Sequence, residues 1–186
     1  AIASGGYAEG IRLWDRSSGR CVRAMSAHGN RVWALTFNAD GNILATGGDD
    51  GTICLWDVVT GKCLRVLKGH SDHVLSLVYD TQNHKLLSSS ADRTIRQWCL
   101  DSGKCLQILS GHSNWVWSLA IDPLSPDRLY SCSQDETIRL WDLRTGECLK
   151  FFQVPRPYEG MDITNAGGLN SAQKATLIAL GAIERT

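Results

Sequence analysis

The sequence lacks net charge: nineteen Lys and Arg are balanced by nineteen Asp and Glu over 186 residues. No overall field draws the chain toward nucleic acid or an anionic membrane, and neither is expected as a partner. It has no apolar run near the ~20 residues that a bilayer span requires. Its first residues, AIASGGYAEG, contain no initiator Met and none of the charged-then-apolar order of a secretory leader. The chain is therefore expected to be a piece of something longer. It has no G-x-S-x-G elbow to raise a hydrolase serine, and no Gly-rich loop ending in Lys-Ser or Lys-Thr to cradle phosphates. It also has no Cys-x-x-Cys, and seven cysteines cannot all pair. Reduced, buried, strand-packing thiols are expected, with no metal, no cofactor and a cytoplasmic location.

What the sequence does have is a period. Trp14, Trp56, Trp98 and Trp141 are separated by 42, 42 and 43 residues. Cys21, Cys63, Cys105 and Cys148 repeat at the same intervals, and His28, His70 and His112 at 42 and 42. Asp50, Asp92 and Asp135 each precede their Trp by six residues, and Ser4, Thr46, Ser88 and Ser131 by ten. A period of ~40–45 residues ending in Trp-Asp marks one four-stranded propeller blade.

One unit, residues 73–110, shows the strands directly: HVLSLVYD, KLLSSSAD, TIRQWCL and KCLQILSGH, separated by turn residues. Several runs are apolar on both faces, as strands sandwiched between neighbouring sheets must be. Gly19, Gly61, Gly103 and Gly146 recur in one tight turn, where a positive φ would favour glycine. The single extra residue of the third full unit falls in the turn 122–128, and turns absorb insertions cheaply.

The recurring polar residues form a set able to satisfy itself. Trp offers a donor, Ser or Thr a hydroxyl, His two ring nitrogens and Asp a carboxylate. At these positions the sequence resembles the WD-repeat (WD40) family over residues 1–153. That resemblance implies structural tetrads of Thr46, His28, Asp50 and Trp56, of Ser88, His70, Asp92 and Trp98, and of Ser131, His112, Asp135 and Trp141. The first unit departs from the pattern, with Ala8 in the Asp position and no upstream His. Cys99 replaces the Asp of one Trp-Asp pair. The resemblance also places Arg31, His73 and Trp115 at the start of the inner strand, where the family carries its binding residues. Trp33 and Trp117 are expected in the core.

The fold implied is all-β: three complete and one partial four-stranded antiparallel blades of a WD-type propeller, followed by a short helix. Residues 1–153 make the blades and 154–186 a loop and helix, with Asn170 as N-cap, Gln173 three residues on and Gly181 as the stop. The ending resembles the C-termini of bacterial, especially cyanobacterial, WD-repeat signalling proteins. The implied function is non-catalytic binding of a protein or peptide, as a scaffold or sensor, with no enzyme activity. Upstream blades of a parent chain, or a second copy, would complete the ring. A propeller hydrolase and a nucleic-acid-binding propeller are the competing classes.

Overall fold

Short β-branched and Leu-rich runs separated by Asp, Gly and Ser turns fold here into fifteen strands and one helix, in a computed structural model describing residues 1–7, 10–29, 31–153, 155–156 and 158–185. The described chain divides into two units, Ala1–Phe152 and Gln153–Thr186. The first contains every strand except the last residue of the fifteenth. β1 (Ile2–Gly5), β2 (Ile11–Trp14) and β3 (Cys21–Met25) form a three-stranded sheet. β4 (Val32–Phe37), β5 (Ile43–Gly48), β6 (Ile53–Asp57) and β7 (Cys63–Leu67) form the second blade. β8 (Val74–Asp80), β9 (Lys85–Ser90), β10 (Thr94–Cys99) and β11 (Cys105–Ser110) form the third, and β12 (Val116–Ile121), β13 (Arg128–Ser133), β14 (Thr137–Asp142) and β15 (Cys148–Gln153) the fourth. The Ala8 position lies outside the described residues.

The blades stack through one recurrent joint. Each blade turns an apolar trailing face toward the next blade, which covers it with a Leu and a Trp. Ile11, Leu13 and Met25 are buried beneath Leu44 and Trp56, and Ile53, Leu55 and Leu67 beneath Leu86 and Trp98. Leu87, Ile95 and Leu109 are buried beneath Leu129 and Trp141. The fourth blade repeats the trailing positions, yet Ile138 is 47% exposed and Phe152 43%. At the opposite end, Ile2 takes the position of Leu44 and is 51% exposed.

A polar clasp runs across two of these joints. Arg23 on β3 donates from Nη1 to the Thr60 carbonyl (2.8 Å) and from Nη2 to the Val59 carbonyl (2.5 Å), both in a turn of the second blade. Arg65 on β7 does the same to Ser102 (3.1 Å) and Asp101 (2.9 Å) of the third. The glycines of these turns meet two demands at once. Gly61 and Gly103 have φ of 70° and 72°, and a Cβ would stand 2.3 Å and 2.6 Å from the arginine Cδ atoms. Where Cys99 replaces Asp, the backbone of the turn persists, with the Gly103 N–H on the Cys99 carbonyl (2.8 Å).

Two expectations need correction. Cys21, Cys63 and Cys148 are exposed, because each opens the outermost strand of its blade at the rim. Cys54 is buried, and that burial pushes its thiol up to about 12. Trp33 and Trp117 are not core: they are 37% and 41% exposed. Each is the extra residue where the innermost strand slips register, between Val32 and Ala34 and between Val116 and Ser118. Such a bulge re-aims the side chain.

In the second unit, α1 (Ser171–Ala179) starts on a capping box in which Asn170 and Gln173 bond each other's backbone N–H, and Gly181 has φ of 105°. No helix among the described residues is long and apolar enough to cross a membrane.

The joint predicts a matched pair of outcomes. Leu109→Ala should destabilise by about 2–5 kcal/mol, whereas Phe152→Ala at the equivalent fourth-blade position should cost below about 1 kcal/mol in the dilute monomer. Urea unfolding of the two variants checks this.

Candidate functional site

Two groups of side chains recur at one end of the blades, one buried and one exposed. The buried group is a hydrogen-bonded chain of four. In the second blade the Trp56 indole donates to Thr46 Oγ1 (2.9 Å), which lies 2.8 Å from His28 Nε2, and His28 Nδ1 lies 3.0 Å from Asp50. In the third, Trp98 reaches Ser88 (2.8 Å), Ser88 reaches His70 (2.7 Å) and His70 reaches Asp92 (2.8 Å). In the fourth, Trp141, Ser131, His112 and Asp135 connect at 2.8, 2.7 and 2.8 Å. A carboxylate facing Nδ1 places the ring proton there, so the hydroxyl donates to Nε2 and accepts from the indole. Among the described residues, the incomplete first blade keeps the link from Trp14 to Ser4 (2.8 Å).

A fifth member went unnoticed in the sequence. Thr52, Thr94 and Thr137 follow their Asp by two residues, and each donates its hydroxyl to that carboxylate, at 2.9, 2.6 and 2.6 Å. The repeat spacing was the available signal. Burial alone would raise the carboxyls of Asp92 and Asp135. Hydrogen bonds outweigh it, from His70 and Thr94 for the first and from Thr137, Ser113 and His112 for the second, and hold both well below the usual carboxylate range. Burial lowers His112 below its ordinary 6.5, with Asp135 only partly offsetting it.

The Ser–His–Asp distances match those of a hydrolase triad, but the surroundings do not. Ser88 and Ser131 are 0% and 1% exposed, and each hydroxyl is already engaged by an indole. A substrate carbonyl has no approach to either. Among the described residues, no group of three or more His, Cys, Asp or Glu side chains converges as a metal site would.

The exposed group is built on the innermost strands. Arg31, His73 and Trp115 stand immediately before β4, β8 and β12, one per blade. The Arg31 guanidinium lies 4.7 Å from the ring centroids of both Tyr7 and Trp33. Trp33 stacks on His73 at 6.4 Å, His73 meets the edge of Trp115 at 6.2 Å, and Trp115 meets Trp117 at 5.3 Å. The structure thus joins Arg31, His73 and Trp115 into one row, with the two bulge tryptophans and Tyr7 as links. Asp49 accepts the Trp33 indole N–H and, through its carbonyl, bonds His73 Nδ1 (2.9 Å). Tyr7, Trp33, Trp117, Asp49 and Asp72 escaped the sequence reading, because a bulge has no signature in a hydrophobic pattern.

His70→Ala leaves the buried Ser88 hydroxyl without its acceptor and Asp92 short of one donor, so stability should fall by about 1–3 kcal/mol in chemical denaturation. The pH dependence follows from the shifts. His112, Asp92 and Asp135 all bind protons less tightly folded than unfolded, so acid favours the unfolded chain. Their contribution should be complete above about pH 7, begin to fall below pH ~6.5 with His112, and fall faster below pH ~4 with the carboxyls. Calorimetry from pH 8 to 3 should show this course, with a shallower slope in Asp135→Asn. A melting temperature flat down to pH 4 would contradict it.

A family model for the WD domain, G-beta repeat, matches residues 19–57, 61–99 and 103–142, well over half of the chain. A search of curated proteins found no match. Each matched segment supplies the outermost strand of one blade and the three inner strands of the next, and on this evidence of repeat and fold together the chain belongs to the WD40 family.

Proposed function

We propose that this chain is a non-catalytic recognition scaffold that binds a protein or peptide partner across the row carrying Arg31, His73 and Trp115. WD40 repeats generally mediate protein–protein interaction, and the family is typically a non-enzymatic scaffold. The observation that carries the reading is the row itself. Consecutive blades present aromatic and cationic side chains at one level, with Trp33 and Trp117 turned outward by bulges. Trp, Tyr and Arg are the residues that most often anchor interfaces. The buried fours built on His28, His70 and His112 act as structural tetrads, holding the loops that display this row. The zero net charge argues against nucleic acid as the ligand.

The setting proposed is the C-terminal part of a larger bacterial signalling protein in the cytoplasm, resembling cyanobacterial WD-repeat proteins. Its exposed trailing face around Ile138 and Phe152 would be covered by further blades, from a parent chain or a second copy.

Panning a random heptapeptide phage library on the purified chain tests the reading. Enriched clones are expected, and their binding should drop by about tenfold or more in Trp115→Ala, with the melting temperature unchanged. No enrichment, or clones indifferent to Arg31→Ala, His73→Ala and Trp115→Ala alike, would defeat it.

A further inference from the structure

The row of rings already contains one bound cation, and it belongs to the chain. The Arg31 guanidinium is held between the faces of Tyr7 and Trp33, 4.7 Å from each centroid. Planar guanidinium lies flat on aromatic faces and is found there more often than a compact ammonium, and Trp is the best ring for it. Two blades further on, three rings make a second corner. His73 stands at 85° to Trp115, and Trp115 at 61° to Trp117. Among the described residues no cation stands over Trp115 or Trp117, although Trp117 is 41% exposed.

Negative charge borders the His73 side of this corner. The carboxylates of Asp49 and Asp72 each approach His73 Nδ1 to 3.5 Å, and their side chains remain 29% and 43% exposed. Asp72 uses Oδ1 to accept the His73 backbone N–H (2.8 Å), and no described residue bonds its Oδ2. Nothing in the net charge foretells this, since it is local. Ring faces and carboxylates share one preference, for a flat cation that stacks and donates N–H bonds in its own plane.

We infer that the corner of His73, Trp115 and Trp117, bordered by Asp72, is a seat for an arginine side chain of the partner. The inference rests on the recognition reading above and names the chemistry that this surface selects. The guanidinium stacks against Trp115 or Trp117 as Arg31 does against Trp33, and its N–H groups meet the Asp72 carboxylate. Arg31 already occupies the faces of Tyr7 and Trp33, so the row takes a single incoming arginine.

The test uses the whole chain and three capped tripeptides, Ala-Arg-Ala, Ala-Lys-Ala and Ala-citrulline-Ala. Their binding is followed through the indole N–H resonances of the ¹⁵N-labelled protein. The arginine peptide should produce saturable shifts in Trp115 and Trp117 while Trp56, Trp98 and Trp141 stay still. Citrulline keeps the shape and removes the charge, and should bind at least about fivefold more weakly. Asp72→Asn should weaken the arginine peptide by a similar factor and leave the pattern of shifted resonances unchanged. Trp115→Leu, verified as folded by its melting temperature, should abolish saturation. Equal binding of the citrulline or lysine peptide, or no saturable shift, overturns the arginine assignment. Phage clones that lack arginine yet depend on Trp115 would overturn it too, and would leave the recognition reading standing.

Discussion

Everything in the first unit depends on covering each blade's trailing face with the leading Leu and Trp of the next. A four-stranded sheet of this size cannot bury its own apolar side chains; only a neighbour can do so. The third joint shows the scale, with Leu87, Ile95 and Leu109 all 1% exposed or less beneath Leu129 and Trp141. At ~25 cal/mol per Å² of apolar surface, such clusters are the main favourable contribution to folding. The covering Trp must also place its indole N–H, and the buried hydroxyl accepts it. From that hydroxyl the remaining links follow to imidazole, carboxylate and threonine. The polar chain is thus the means by which a tryptophan can serve as the lid of an apolar joint.

The repeat and the blade are out of phase by one strand. Each matched repeat contributes the outermost strand of one sheet and the inner three of its neighbour. The backbone hydrogen bonds of one repeat are therefore completed by another, and consecutive blades are tied by covalent chain as well as by apolar contact.

Strands, turns and the proximity of the buried fours were legible because a fixed period preserves register. If His70 pairs with Ser88, then residues 42 or 43 positions away meet in the same way. The turn glycines were legible for the same reason, since one backbone conformation recurs. What escaped was whatever breaks alternation. A bulge at Trp33 or Trp117 moves one side chain off the expected face without changing any neighbour's residue type. An apolar side chain that periodicity assigns to the core is then free to line a surface. The cysteines were misread for a simpler reason, as strand residues at the rim differ in burial from those at the centre. At the end blades burial depends on a neighbour and not on the residue: Ile95 and Ile138 share a position, and one is 0% exposed while the other is 47% exposed.

The arginine clasp gives the stack a direction. Arg23 and Arg65 reach only forward, into the turn of the following blade. In the third blade the position passes to Gln107, and in the fourth to Lys150, whose ammonium rests 4.8 Å from the Phe152 ring. The two ends of the array are therefore unlike, as the ends of a polar filament are. One offers a donor and an apolar face, and the other, around Ile2 and Trp14, resembles the covering face of a blade. Two identical ends brought together would set donor against donor and leave the turn carbonyls unmet. Association that repeated the joint between these faces would be head to tail, and an interface of that kind either closes a ring or continues without limit.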